Sequence, residues 1–252
     1  MSNDRELAQL RRSILSMAFL GKEGHIPSSL SILELVWAAH GDGFVTKGNE
    51  SRFVLSKGHG CLALYAVLVG KGYFPDDWLS NFAQPDSPLG GHPDSTLVPG
   101  VEASTGSLGH GFPMAVGMAY AEKMKGSSAT IYVLIGDGEA NEGSVWEAAL
   151  LAAHHKLDNL VCIIDDNGSS TRAIDMGGIG KKFEGFDWTV SEINGHDVFE
   201  IRSSLKMKAP GPHAIIARTV KGHGIREMES NPAWHHTALS KEDHDRFLDE
   251  LR

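Results

Sequence analysis

The chain has 252 residues, 41% of them hydrophobic and 22% charged, with a formal net charge of −9. That length can bury a sizeable core, and an acidic balance with no Lys/Arg cluster excludes a nucleic-acid footprint. CLALYAVLV is too short to span a membrane and MSNDRELAQLRR has no signal-peptide core, so no membrane partner is expected and the expected location is cytoplasmic.

In chain order, Asp4 to Leu20 reads as a helix with Leu7, Leu10, Ile14, Met17 and Ala18 on one face. Ser31-Ile32-Leu33-Glu34 has capping-box spacing before an apolar helix. Phe53 to Ser56 is a short strand feeding Lys57-Gly58-His59-Gly60 and then a helix through CLALYAVLV. Tyr73 to Gly106, rich in Pro, Gly, Asp and Ser, reads as a long surface or active-site loop with a short helix near Trp78; such stretches are usually functional. Gly109 to Lys125 is helical. IYVLI and LVCII read as buried parallel strands. Between them a helix runs from Ser144 to Lys156, opened by a second capping box, Ser144-Val145-Trp146-Glu147. Trp188 to Ile193 and Ala214 to Arg218 are later strands. No linker or repeat interrupts the chain, so one domain over 1–252 is expected, of the α/β class, with a parallel sheet and helices on both faces. Cys61 and Cys162 sit in apolar runs and read as packing residues rather than a bridge.

The most informative stretch is Gly136-Asp137-Gly138 after the first buried strand, matched by Asn167 in IDDNGSS after the second. Two oxygen-bearing side chains thus stand at the C-terminal ends of consecutive strands of one βαβ unit, where open parallel sheets bind ligands. A carboxylate and an amide oxygen are hard donors suited to Mg²⁺ or Ca²⁺. Two side chains cannot fill an octahedral shell, so backbone carbonyls, water or phosphate oxygens must complete it. Gly138 lets its N–H approach an anion at the start of the next helix. From spacing alone this is a metal–diphosphate clamp or an ordinary strand-end turn, since Gly, Asp and Asn are also turn residues. Many of the 13 histidines lie beside Gly or Pro, on loops rather than in the core.

GDGEANEG…IDDNG resembles the thiamine diphosphate motif. GHIPSSLSILE, RFVLSKGHG, GGHPDSTLVPGVEASTGSLGHG, INGHD and KGHG…NPAWHH resemble, in the same order, the N-terminal, diphosphate-binding half of transketolase. Together they cover about Leu7 to Ala238. The resemblance implies thiamine diphosphate and Mg²⁺ (or Ca²⁺) as cofactors. Asp137 and Asn167 would be side-chain ligands, with the backbone carbonyl of Ser169 as a third, although the family usually has an apolar residue there. Gly138, Glu139 and Asn167 would lie at the diphosphate, and the Gly106-Ser107-Leu108 backbone at the aminopyrimidine. His25, His59, His92 and His235 match histidines lining the reaction face. His59 and His235 are implied to touch the cofactor, His235 and His25 the substrate, and His92 a substrate or proton relay. Here WHH replaces the family's WHG, which puts the register of His235 in question. Lys221 is implied as a charge partner of the diphosphate and Glu142 as an interface carboxylate. His110, His196 and His223 are weaker, with His196 read as a turn residue.

Transketolases draw the activating Glu and the aromatic shelf for the ring from a further domain, and the sequence ends at Arg252 without one. The resemblance therefore implies one subunit of a split transketolase, paired as α2β2 with a pyrimidine-binding/C-terminal subunit. The expected reaction moves a two-carbon ketol unit from a ketose (phosphate) to an aldose (phosphate). The alternatives are the α subunit of a 2-oxoacid dehydrogenase, a deoxyxylulose-phosphate synthase-like fragment, or a non-catalytic binding subunit. A dinucleotide-binding reading fails for want of GxGxxG after the first strand.

Overall fold

In the computed structural model, which describes residues 3–170 and 174–251, five short apolar runs become strands. They are β1 (Arg52–Leu55), β2 (Ile131–Gly136), β3 (Leu160–Asp166), β4 (Thr189–Asn194) and β5 (His213–Arg218). All pair in parallel, in the order β1-β2-β3-β5-β4. Residues 1, 2, 171–173 and 252 of the expected 1–252 domain lie outside the described residues.

Alternation along the strands divides the apolar side chains between two cores. Tyr132, Leu134, Val161, Ile163, Ile215 and Ala217 pack against α1 (Asn3–Gly21), α2 (Ile26–Ala39) and α3 (Cys61–Gly70). Ile131, Val133, Ile135, Cys162, Ile164 and Ile216 pack against α4 (Gly111–Lys125), α5 (Gly143–His154) and α6 (Ile179–Glu184). Ile201 of α7 (Val198–Lys206) and Phe247 of α8 (Lys241–Glu250) complete the first core. The expected parallel α/β sheet with helices on both faces is therefore present. Cys61 and Cys162 are both buried and free, as packing residues should be. Among the described residues no helix is long and apolar enough to cross a membrane.

Neither expected capping box forms. Helix α2 begins earlier than Ser31, at Ile26, with Pro27 in its first turn where a missing N–H costs nothing. All 14 residues of α2 are buried, so Ser31 and Glu34 face protein and take tertiary partners instead of the helix end. At α5 the N-cap residue is Glu142, with no side-chain cap, and Ser144 Oγ donates to the Gly109 carbonyl at 2.7 Å. In both places a distant backbone or carboxylate competes successfully with the local N–H.

The stretch between α3 and α4 is irregular apart from a 3₁₀ turn at Asp76–Asn81, as expected near Trp78. It is nonetheless fastened: the buried Tyr65 hydroxyl lies 3.0 Å from the Gly90 carbonyl and 3.1 Å from that of His92.

Two buried histidines set an acid limit on this fold. His40 packs in the first core with Nδ1 2.9 Å from the Val36 carbonyl, and His213 on β5 has Nε2 2.9 Å from Ser191 Oγ. Burial pushes each down to about 4. A depressed folded-state value means that the unfolded chain takes up protons first, so stability falls as pH drops from about 6.5 towards 4. The slope is about 1.4 kcal/mol per pH unit for each such histidine. Urea midpoints measured at pH 7, 6 and 5 should decrease in that order, with a shallower fall in His40→Gln; a flat profile contradicts neutral burial.

Candidate functional site

Strand alternation aims Gly136 of β2, Asp165 of β3 and Thr219, just past β5, at the side of the sheet that α2 covers. There a carboxylate deep in the protein needs partners, and Asp165 has four. Lys57 Nζ donates to Oδ2 at 2.5 Å, Asn167 Nδ2 to Oδ2 at 2.9 Å and Ser31 Oγ to Oδ1 at 2.8 Å. Thr219 Oγ1 also donates to Oδ1. Burial would raise this carboxyl, but Lys57 and the hydroxyls outweigh it and hold Asp165 below the usual carboxylate range. The Lys57 stem passes over Gly136, where a β-carbon would sit 3.6 Å from Lys57 Cδ.

This hub sets the direction of Asn167. An ionised carboxylate only accepts, so Asp165 takes the amide N–H side and turns Oδ1 into the cleft, where it accepts the Ser169 N–H at 3.0 Å. Across from it, Asp137 Oδ1 accepts from the Gly138 N–H at 2.8 Å and Ser169 Oγ at 3.3 Å. Its Oδ2 accepts from the Ser170 N–H at 3.0 Å and Ser170 Oγ at 3.1 Å. A divalent cation here would displace the two hydroxyls and leave the two backbone donors that orient the carboxylate. One carboxylate, one correctly turned amide oxygen and the exposed Ser169 segment form a hard-donor set that fits Mg²⁺ or Ca²⁺.

A cleft of about 350 Å³ opens from this point and is lined by His25, Lys57, His59, His92, Gly106, Leu108, Gly136, Asp137, Gly138, Glu139, Asn167, Ser169, Lys221 and His235. A neighbouring hollow shares Asn167, Ser169, Lys221 and His235 with it and reaches Asn231 and Pro232. Ser107 alone among the expected cofactor, metal and histidine positions does not line the cleft. Gly106 lies against the His92 ring, which a β-carbon would approach to 3.2 Å. Glu139 lines the cleft, but its carboxylate is buried and bonded to Ser56, Gly109 and Gly136.

Around His25 the rings of His59, His235 and His236 lie at 5.2, 5.3 and 4.7 Å between centroids. Burial, then the neighbouring imidazoles and Lys221, push His25 down to about 4; burial and Lys57 push His59 to about 2. His235, with Nδ1 3.0 Å from Lys221 Nζ, is lowered by burial and that ammonium. Lys221 itself is lowered by burial and by Lys57. Among the described residues, no protein group hydrogen-bonds a ring nitrogen of His25, His59 or His92. Unpaired nitrogens converging on one cleft are suited to a ligand rich in hydroxyl groups.

Sequence reasoning missed Lys57, Asp165, Ser31, Thr219 and His236. An Asp inside a run of buried strand positions was the available signal, because such a group demands a cation. The weaker histidines lie elsewhere. His110 is exposed, with Nδ1 3.2 Å from the Leu108 carbonyl. His196 sits in the turn after β4 and stacks on His223 at 3.7 Å. With Glu34 these two histidines bring ligand-type atoms within 4.8 Å, but the arrangement does not suit a metal. The Val220 N–H donates to His196 Nε2 at 2.8 Å, so Nδ1 must carry the proton, which faces Glu34 at 3.1 Å. Arg11 already neutralises that carboxylate. The cluster instead fastens the residue before Lys221 to α2.

The fold and this cleft define a diphosphate-binding domain of the thiamine diphosphate type. Residues 45–251 match the family described as transketolase, thiamine diphosphate binding domain, and the chain belongs to that family. It is 39% identical to one of the subunits of apulose-4-phosphate transketolase from Actinobacillus succinogenes, over 99% of this chain and 95% of that one. It is 38% identical to the 6-deoxy-6-sulfo-D-fructose transketolase subunit SqwG of a Clostridium species, over 90% of this chain and 89% of that one. Among solved structures, transketolase from Leishmania mexicana superposes with a TM-score of 0.90 at 27% identity, over all of this chain and 41% of that one. The Campylobacter jejuni enzyme does so at 0.83 and 29%, over 43% of its length. The chain thus spans about two fifths of these solved transketolases but nearly all of the relatives that are single transketolase subunits.

Lys57→Met leaves Asp165 buried without its cation and should destabilise the chain by about 3–5 kcal/mol, read from urea unfolding. The double variant Lys57→Met/Asp165→Leu should recover a large part of that loss; a single variant of wild-type stability would show that the pair is not coupled.

Proposed function

We propose that this chain is the diphosphate-binding subunit of a two-subunit transketolase that moves a two-carbon ketol unit from a ketose (phosphate) to an aldose (phosphate). The observation that carries the reading is the convergence of His25, His59 and His92, with unpaired ring nitrogens, on the cleft floored by Asp137 and Asn167. Thiamine diphosphate would lie with its diphosphate against Gly138 and Lys221, and with Mg²⁺ or Ca²⁺ on Asp137, Asn167 and the Ser169 carbonyl. The Gly106–Leu108 backbone would face the aminopyrimidine. Bound there, the cofactor supplies carbanion stabilisation for the transferred fragment. The pyrimidine-binding and C-terminal domains would come from a separate subunit in an α2β2 assembly. Relatives of the same extent that are themselves named as single subunits of a transketolase support that reading. The complex would be cytoplasmic.

The chain's own residues do three things in this reading. Asp137 and Asn167 place the cation. Lys221 balances diphosphate charge. The neutral histidines each present one N–H and one lone pair, so His25 and His235 can take a proton from a sugar hydroxyl and return it near neutral pH. His59, beside His25, and His92 exclude water and fix the sugar's orientation.

Asp137→Ala and Asn167→Ala should each raise the cation concentration needed for thiamine diphosphate binding on the order of 100-fold, measured by calorimetry on the complex with its partner subunit. Unchanged binding would remove the clamp. His25→Ala should cut turnover on the order of 100-fold or more with cofactor affinity within a few-fold of wild type; an undiminished rate would take His25 out of the substrate site.

A further inference from the structure

Two loops border the cleft from different parts of the chain: Gly106–Leu108, between the long irregular stretch and α4, and Asp137–Gly138, between β2 and α5. They meet at Gly109. Its φ of +79° is one that glycine adopts freely, and a β-carbon there would come within 2.6 Å of Ser144 Oγ and 2.7 Å of Glu142 Cβ. The Gly109 N–H donates to Glu139 Oε1 at 2.9 Å, and its carbonyl accepts from Ser144 Oγ at 2.7 Å. Gly109 is thus held on both its N–H and its carbonyl by the segment that follows Asp137. The same Glu139 carboxylate accepts from Ser56 Oγ at 2.5 Å, just past β1, and from the Gly136 N–H at 3.4 Å, immediately before Asp137. Glu139 is 1% exposed, and burial raises its carboxyl against the pull of those three donors.

We infer that Glu139 is a positioning residue that locks the Gly106–Leu108 loop to the Asp137 loop, so that the two halves of the cofactor site move as one body. It does this through protein partners rather than through the ligand: the carboxylate is buried, and its oxygens are taken by Gly109, Gly136 and Ser56. The inference rests on the proposed cofactor site for its consequence but not for its geometry. A carboxylate suits the place because three donors arrive from three directions and none of them needs an acceptor in return.

Amide hydrogen exchange on the full chain, without cofactor, tests the geometry directly. Glu139→Ala should speed exchange at 106–111 by at least about tenfold, while peptides from β3 and β5 keep wild-type protection. Glu139→Gln, which retains one acceptor oxygen, should fall between the two. Wild-type exchange at 106–111 in Glu139→Ala overturns the lock, and uniform loss of protection through β3 and β5 reduces Glu139 to a general stability residue. In the complex with its partner subunit, Glu139→Ala should raise half-saturating thiamine diphosphate about tenfold with the donor-sugar KM unchanged and Glu139→Gln restoring most of it. Equal loss in both constants overturns the positioning role. Failure of the wild-type complex to bind thiamine diphosphate would instead strike the proposed function, leaving the exchange result standing.

Discussion

A buried ion pair between Lys57 and Asp165 is the constraint on which the rest of the site depends. Removing both ions from water costs several kcal/mol each, and an apolar pair of similar volume is often as stable or more so. Stability therefore does not explain it. The carboxylate joins the ends of β1, β3 and β5 to α2 through Lys57, Thr219 and Ser31, and it takes the N–H side of Asn167. Together with the Ser169 N–H on Oδ1, it keeps the amide oxygen rather than the amide nitrogen on the cleft side. A hard cation accepts only the first.

The sheet makes that hub possible with little special provision. A period of two residues sends Val161, Ile163 and Asp165 to one face and Cys162 and Ile164 to the other, so the last inward position of β3 carries a charge where its predecessors carry apolar groups. Ile215 and Ala217 on β5 likewise lead to Thr219. The core and the site are one alternating pattern, apolar along the strands and polar at their C-terminal ends. Helix α2, buried on every side, lies against the site end of the sheet. It supplies Ser31 from its middle and follows directly from His25.

Much of this was legible in the residues. The apolar runs, the Gly-Asp-Gly and Asn strand ends and the histidines beside glycines all pointed to one edge of a parallel sheet, and the cleft gathers the expected cofactor, metal and histidine positions except Ser107. What failed was local chemistry overridden by distant partners. Ser31 and Ser144 have capping-box spacing, yet each hydroxyl finds a buried acceptor far away in sequence, and no window of a dozen residues contains that information. Glu139 shows the same limit. Its place beside Asp137 suggests ligand contact, while only the fold reveals that the Gly109 and Gly136 amides and Ser56 claim the carboxylate. His236 was hidden for another reason: the doubled histidine after Trp234 leaves the register open until the chain is seen to bring both rings onto His25.

The electrostatics of the cleft follow from crowding several basic groups around Asp137. His25 is lowered first by burial and then by three neighbouring imidazoles and Lys221; Lys221 is lowered by burial and Lys57. Asp165 and Asp137 are the anions that pull Lys221 the other way, and Lys57 already pairs with Asp165. Such a site repels protons and favours an anion, and the two tendencies act on different groups. A diphosphate against Lys221 would raise that lysine, and His235 beside it, by restoring opposite charge. His59, deeper and facing Lys57, is governed by burial and stays neutral. A second subunit closing over the cleft would remove water from the rings and strengthen both effects. One bound ligand and one partner would therefore leave Lys221 charged against phosphate, and His25 and His59 neutral beside it.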